Sequence, residues 1–209
     1  MTENKTAYIV AAGPVEDYNY IKSMISDDAF IICADGGIKH CKALNITPNL
    51  IISDFDSSHE EMFDCEVLKY PSEKDDTDFS LSVKKAIQLG YKNIIAFGAL
   101  GGRIDHTMGA IQMLEYCLKK DVTCTLVDRK NRVQMICGET EIPVKSSNEN
   151  VSIFSYSPIC EGVTLKGMKY PLKNATLTSE FPLGISNKAT EDAKIYFKKG
   201  TMLIVFSQD

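Results

Sequence analysis

The sequence predicts two architectures in tandem: a mostly parallel α/β sheet, followed by a small antiparallel β sheet or sandwich. Two observations predict this. Through the first two thirds, short apolar runs alternate with helical patterns, as buried parallel strands and their covering helices do. Near Arg132 the pattern changes to short alternating stretches broken by turn residues, with no long helical pattern after it.

The expected strands of the first part are the apolar runs 7–11, 30–33, 50–52, 94–97 and 124–127, rich in Ile, Val and Ala and flanked by Gly, Asp or Asn, with another at 67–70. Ile38, Cys41 and Leu44 mark a short helix. Phe79, Val83, Ala86 and Ile87 fall at helical spacing; Asp76 or Thr77 can cap that helix and Gly90 is placed to end it. Ile104, Met108, Ile111, Leu114 and Leu118 form the apolar face of a longer helix, with Lys119 and Lys120 at its C-terminal end, where the helix dipole favours cations. Beyond Arg132 the expected strands are 151–154, 162–165, 175–177, 194–197 and 202–206. Pro158, Gly167, Pro171, Pro182, Gly184 and Gly200 punctuate them. The polar stretch 138–150 reads as a domain connection or a loop between strands. The expected domains are therefore 1–132 and 133–209.

Bulk properties exclude several classes. The net charge of −5 lacks the basic footprint of a nucleic-acid binder. The N-terminal MTENKTAYIV is polar, and no apolar run approaches the roughly 18 residues of a membrane span. Cysteines 33, 41, 65, 117, 124, 137 and 160 are odd in number, scattered, and form no C-x-x-C pair. Reduced thiols and a cytoplasmic location are the expectation.

In an open α/β sheet, ligands bind beyond the carboxyl ends of the strands. After 30–33 comes Ala34-Asp35-Gly36-Gly37, and after 50–52 comes Ser53-Asp54-Phe55-Asp56-Ser57. After 67–70 comes Pro71-Ser72-Glu73-Lys74-Asp75-Asp76-Thr77-Asp78, and after 94–97 comes Gly98-Ala99-Leu100-Gly101-Gly102-Arg103-Ile104-Asp105-His106. Taken singly, each has an ordinary reading. Asp and Gly are common turn residues, Asp76 can be a helix cap, Arg103 and Asp105 can be an ion pair, and His106 can face solvent. Their coincidence on one edge is harder to ascribe to turns. Carboxylates gathered on an edge repel unless a cation offsets them, and Mg²⁺ takes hard oxygen ligands together with phosphate oxygens. Asp54 and Asp56 are two apart, so in extended chain both point the same way. Glycine N–H groups can approach phosphates closely, and Lys74 and Arg103 supply positive charge.

These segments together resemble the thiamine pyrophosphokinase family: ADGG at 34–37, PNLIISDFDS at 48–57, KDDTDFSLSVKKA at 74–86, GALGGRIDHT at 98–107 and GISN at 184–187. The resemblance implies a Rossmann-like N-terminal α/β domain that binds ATP and Mg²⁺, a C-terminal antiparallel β-sandwich, and a homodimer with the thiamine site at its interface. Matched by position, Asp54, Asp56 and Asp78 are the metal and catalytic carboxylates, with Asp105 and Arg103 also catalytic. Asp35, Gly36, Gly37, Lys74, Thr77, Gly101, Gly102 and Arg103 would serve ATP and its phosphates, and Ser186 and Asn187 the thiamine. Three departures stand out. Ser53 replaces a usual glycine, Ala110 replaces a frequent asparagine, and the tryptophan of some thiamine pockets is absent, since the chain has no Trp.

The implied activity is transfer of a pyrophosphoryl group from ATP to thiamine, giving thiamine diphosphate and AMP. An aspartate such as Asp54 or Asp78 would accept the hydroxyl proton. A pyrophosphokinase for another alcohol, such as a pterin, and a non-catalytic nucleotide sensor are the competing readings.

Overall fold

The apolar runs of the first two thirds form strands, and those strands pair in parallel. The computed structural model describes residues 5–54, 63–70, 76–145 and 148–209, with the backbone alone of Asp54. The chain divides into two compact units, Met1–Arg129 and Lys130–Asp209. The sequence pattern changes slightly later, at Arg132, because the second unit opens on polar residues.

The first unit contains β1 (Thr6–Val10), α1 (Tyr18–Met24), β2 (Phe30–Ala34), a 3₁₀ turn (Asp35–Gly37), α2 (Ile38–Leu44), β3 (Leu50–Asp54), β4 (Glu66–Tyr70), α3 (Asp78–Gln88), β5 (Asn93–Phe97), α4 (Ile104–Leu118) and β6 (Thr123–Val127). Its strands lie in the order β6-β5-β1-β2-β3-β4. The chain steps from β1 outward to β4, then returns to the other side of β1 for β5 and β6. Strand side chains alternate between faces. Tyr8, Val10, Ile31, Cys33, Ile51 and Phe97 pack with Ile21 of α1 and with Ile38, Cys41 and Leu44 of α2. Ala7, Ile9, Ile32, Leu50 and Ile52 alternate with them and are also buried. On that side α3 packs on β1, β2 and β3, and α4 packs on α3 and β6. Burial on both faces is why these strands read as unbroken apolar runs.

Two local features depart from expectation. The sequence signal for α1 is weak, because YNYIKSM contains a single fully buried aliphatic residue, Ile21. Asp17 starts this helix by accepting the Tyr20 N–H at 2.9 Å. In α4 the expected apolar face is only partly covered. Ala110, Leu114 and Cys117 are buried, whereas Ile104 and Met108 are 74% and 53% exposed.

The second unit contains β7 (Asn131–Cys137), β8 (Thr140–Val144), β9 (Asn150–Ser155), β10 (Ile159–Met168), β11 (Leu172–Thr178), β12 (Gly184–Phe197) and β13 (Thr201–Ser207). Their pairing is antiparallel. One layer runs β7-β13-β9-β12 and the other β8-β12-β10-β11. The long β12 serves both: residues 184–188 pair with β9, and residues 193–197 pair with β8. Ile153, Val163, Leu165, Ile195, Phe197 and Ile204 are among the side chains that fill the core. The stretch 138–150 is not simply a connection, since Thr140–Val144 is a strand; its alternating exposure hides the apolar signal.

Beyond the sheet of the first unit, loops meet backbone to backbone. The Ala11 N–H donates to Phe97 O, and the Gly13 N–H to Gly98 O, both at 2.8 Å. A Cβ on Gly98 would lie 2.4 Å from Ala11 O, and Gly98 has φ +65°. A Cβ on Gly37 would lie 2.1 Å from Val10 O. Gly98→Ala is therefore expected to destabilise the fold by about 2–4 kcal/mol, combining left-handed strain with a backbone clash. A Cβ on Gly109 of α4, by contrast, would meet nothing within 4 Å. Gly109→Ala should instead raise stability by up to about 1 kcal/mol. Urea unfolding of both variants checks the pair; equal effects would contradict it.

Candidate active site

Open α/β sheets bind ligands where the strand order reverses. Here that point lies between β1 and β5, so the loops at 11–14 and 98–103 flank the place where a ligand crevice is expected. The β2 end joins them. A Cβ on Gly36 would lie 2.8 Å from Ala12 Cβ, and one on Gly101 would lie 3.0 Å from Pro14 Cγ. Asp35-Gly36-Gly37 and Gly101-Gly102 are thus brought against a single loop. Asp35 has φ +24°, an uncommon conformation for a residue with a side chain. Gly101 and Gly102 have φ +75° and +67°, which glycine adopts without penalty.

The remaining acids of this edge fall on neighbouring elements. Asp54 ends β3, in register with Tyr70 at the end of β4. Asp78 opens α3, in its first turn. Thr77 caps that helix: its Oγ1 accepts the Ser80 N–H at 3.1 Å. Asp76 holds Lys84 at 2.7 Å and accepts from Ser80 Oγ at 3.0 Å, so it ties the residues before the helix to its second turn. Asp56 and Lys74, with the side chain of Asp54, lie outside the described residues. Among the described residues, no group of three His, Cys, Asp or Glu side chains forms a metal site.

Arg103 and Asp105 form a two-pronged ion pair at the start of α4. Nε donates to Oδ1 at 3.1 Å and an Nη donates to Oδ2 at 2.5 Å. The hydrogen bonds from Arg103 hold the Asp105 carboxyl below its usual value. The side chains are 74% and 59% exposed, so solvent screening leaves the pair little weight in folding. His106 is exposed; its backbone N–H donates to Asp105 Oδ1 at 2.9 Å.

In the second unit the GISN segment is the start of β12 rather than a turn. A register shift between Gly184 and Asn187 makes a bulge, with Ser186 at φ +56°. Bulges re-aim side chains, and the exposed Ser186 keeps its N–H on Ser152 Oγ at 3.0 Å. Asn187 is only 4% exposed. Its Oδ1 accepts from the N–H groups of Tyr170 and Lys188, both at 2.9 Å, and its Nδ2 donates to Tyr170 O at 2.7 Å. Asn187 therefore fixes the backbone of Tyr170, a residue that is itself 59% exposed.

The strand ends named from the sequence do not include the loop at 11–14. Its Gly13-Pro14 pair, directly after an apolar run, is a turn signal of the same kind as the others. Nor do they include His40 and Tyr18, which carry no sequence mark apart from their residue type. His40 Nε2 is 2.7 Å from Gly13 O, and its Nδ1 is 2.9 Å from Tyr18 Oη.

Residues 21–126 match the family described as thiamin pyrophosphokinase, catalytic domain. Residues 139–202 match thiamin pyrophosphokinase, vitamin B1 binding domain. The thiamine pyrophosphokinase of Bacillus subtilis (strain 168) is 32% identical over 213 residues, covering 98% of this chain and 100% of that protein. The crystal structure of a thiamine pyrophosphokinase from Bacillus subtilis superposes with a TM-score of 0.89 at 29% identity, covering 98% of this chain and 100% of that one. That of Geobacillus thermodenitrificans gives 0.85 at 26% identity, covering 98% of each. With family matches in both units and a relative 32% identical over nearly the whole chain, the chain belongs to the thiamine pyrophosphokinase family.

Proposed function

We propose that the protein transfers the pyrophosphoryl group of ATP to the hydroxyl of thiamine, giving thiamine diphosphate and AMP. The observation that carries this is the pairing of a catalytic-domain match at 21–126 with a vitamin B1 binding match at 139–202. The second match speaks for thiamine over a pterin alcohol. The reaction itself asks for positioning and charge more than for covalent chemistry. The thiamine hydroxyl oxygen forms a bond to the β-phosphorus, the bond from that phosphorus to the oxygen bridging to the α-phosphorus breaks, and AMP leaves.

Arg103 has five N–H donors, of which Asp105 engages two. The remainder can meet phosphate oxygens without releasing the aspartate. Gly36, Gly37, Gly101 and Gly102 leave backbone room for phosphates, with Lys74 and Thr77 as further contacts. Asp54, Asp56 and Asp78 would supply all-oxygen ligands of the kind that suits Mg²⁺, and α3, which opens on Asp78, packs on β3, which ends on Asp54. When bound, Mg²⁺ would offset the phosphate charge that otherwise repels the nucleophile. Asp54 or Asp78 would take the hydroxyl proton.

On this reading thiamine binds where two copies of the chain meet, at the segment holding Ser186 and Asn187. Ser186 would contact the ligand directly, whereas Asn187 would act through the Tyr170 backbone that it holds. The exposed apolar side chains Phe181, Leu183 and Ile185 beside this segment support a partner surface there. A cytoplasmic setting fits a chain in which no described helix is long and apolar enough to cross a membrane.

Incubation with ATP, Mg²⁺ and thiamine should give AMP and thiamine diphosphate in equal amounts; ADP with thiamine monophosphate would refute the proposal. Asp54→Asn, Asp56→Asn and Asp78→Asn should each lower kcat by about 100-fold or more, with the fold retained by circular dichroism. Near-normal turnover in the triple variant would place the metal elsewhere. Mixing an inactive Asp56→Asn chain with an inactive Ser186→Ala, Asn187→Ala chain should restore part of the activity, since one shared site in the mixed dimer stays intact. No recovery, with subunit exchange verified, would show that the site is not shared.

A further inference from the structure

We infer that His40 is a positioning residue for nucleotide binding: it fixes the carbonyl of Gly13, and with it the 11–14 loop beside the β1/β5 crevice. The inference rests on the reading that ATP binds at that crevice. His40 is 4% exposed, inside α2. A carbonyl oxygen can only accept, so the 2.7 Å contact with Gly13 O means that Nε2 carries the proton. Nδ1 then has a lone pair, which accepts the Tyr18 hydroxyl at 2.9 Å. Burial pushes the imidazole below its ordinary value, which keeps it in this neutral, single-tautomer form.

The geometry at Gly13 explains why this matters to the site. Its N–H is given to Gly98 O, in the loop after β5, and its C=O is held by His40 from α2. Both polar groups of one residue are therefore fixed from different elements. No side chain could replace the glycine, because a Cβ there would lie 2.4 Å from Gly98 O. A buried imidazole is costly unless both nitrogens are satisfied, and an apolar residue would fill α2 at lower cost. The polar pair His40–Tyr18 joins α1 to α2 and directs the remaining ring nitrogen to the backbone of the 11–14 loop at the switch point. The ligand whose affinity depends on this loop is a nucleoside triphosphate, whose phosphates need backbone groups held in place before binding.

The test compares His40→Leu, His40→Gln and Tyr18→Phe by calorimetric titration with ATP in the presence of Mg²⁺, and by steady-state kinetics. His40→Leu should weaken ATP binding about tenfold and raise the KM for ATP in parallel. Its kcat and its KM for thiamine should stay within about twofold of the wild type. His40→Gln, which keeps an N–H donor near the place of Nε2, should recover most of the ATP affinity. Tyr18→Phe, which loses only the orienting hydroxyl, should weaken ATP binding by about threefold. Unchanged ATP affinity in folded His40→Leu would overturn the inference. So would equal losses for ATP and thiamine with no rescue by glutamine, which mark a purely structural role. If His40→Leu does not fold, Tyr18→Phe decides, and unchanged ATP affinity in it is a refutation. Wild-type protein that binds ATP but forms no AMP with thiamine would refute the proposed activity and leave the titrations to judge His40. Wild-type protein that does not bind ATP would overturn both.

Discussion

Close approach of backbone to backbone beyond the ends of β1, β2 and β5 is the constraint on which the first unit depends. Gly13, Gly37 and Gly98 each stand where a Cβ would come within 2.4 Å of a carbonyl oxygen. Strands set about 4.8 Å apart leave little room between the loops that follow them. The chain meets this by removing side chains and letting peptide groups bond across the gap. The result is a set of main-chain contacts joining the loops after these strands, with Asp35 beside the glycines that make them. Arg103 and Asp105 are exposed, so water screens their ion pair.

The second unit meets a different requirement. It must close a core between two layers using short strands, and it does so by passing one long strand through both. Because residues 184–188 and 193–197 of β12 pair in different layers, its register is fixed twice. That double constraint lets the bulge at Ser186 persist with a non-glycine residue at φ +56°.

Much of this was legible in the sequence, for physical reasons that differ by element. The central strands were visible because burial on both faces demands continuous Ile, Val and Ala. Helix α3 was visible because its cap, Thr77, and its buried stripe, Val83 and Ala86, agree. Helix α1 was not, since its packing relies on tyrosines that look amphipathic in any context. Strand β8 was hidden because exposed and half-buried residues alternate from Thr140 to Pro143, and only Val144 is fully buried. At the candidate site, Asp35, Gly36, Gly37, Gly101 and Gly102 were legible as residues that follow strands. The role of Asn187 was not, because a side-chain amide bound to a distant backbone leaves no trace in local sequence. The same holds for His40 and Tyr18, which lie 22 positions apart.

The pairing scheme of the second unit also bears on how the chain is made. In the first unit, β2 can pair with β1, and β3 with β2, as soon as each leaves the ribosome. The later strands follow that order only in part, since β10 and β11 pair with each other while β7, β8 and β9 do not pair in sequence. Strand β7 pairs with β13, β8 pairs with β12, and β9 pairs with both β12 and β13. Three strands are thus synthesised before any of these partners exists, and they wait for them until β12 and β13 emerge. Nascent chains in this state are exposed to aggregation and to chaperone capture. Translation stopped short of β12 would leave β7, β8 and β9 without the antiparallel partners that they have in the second unit.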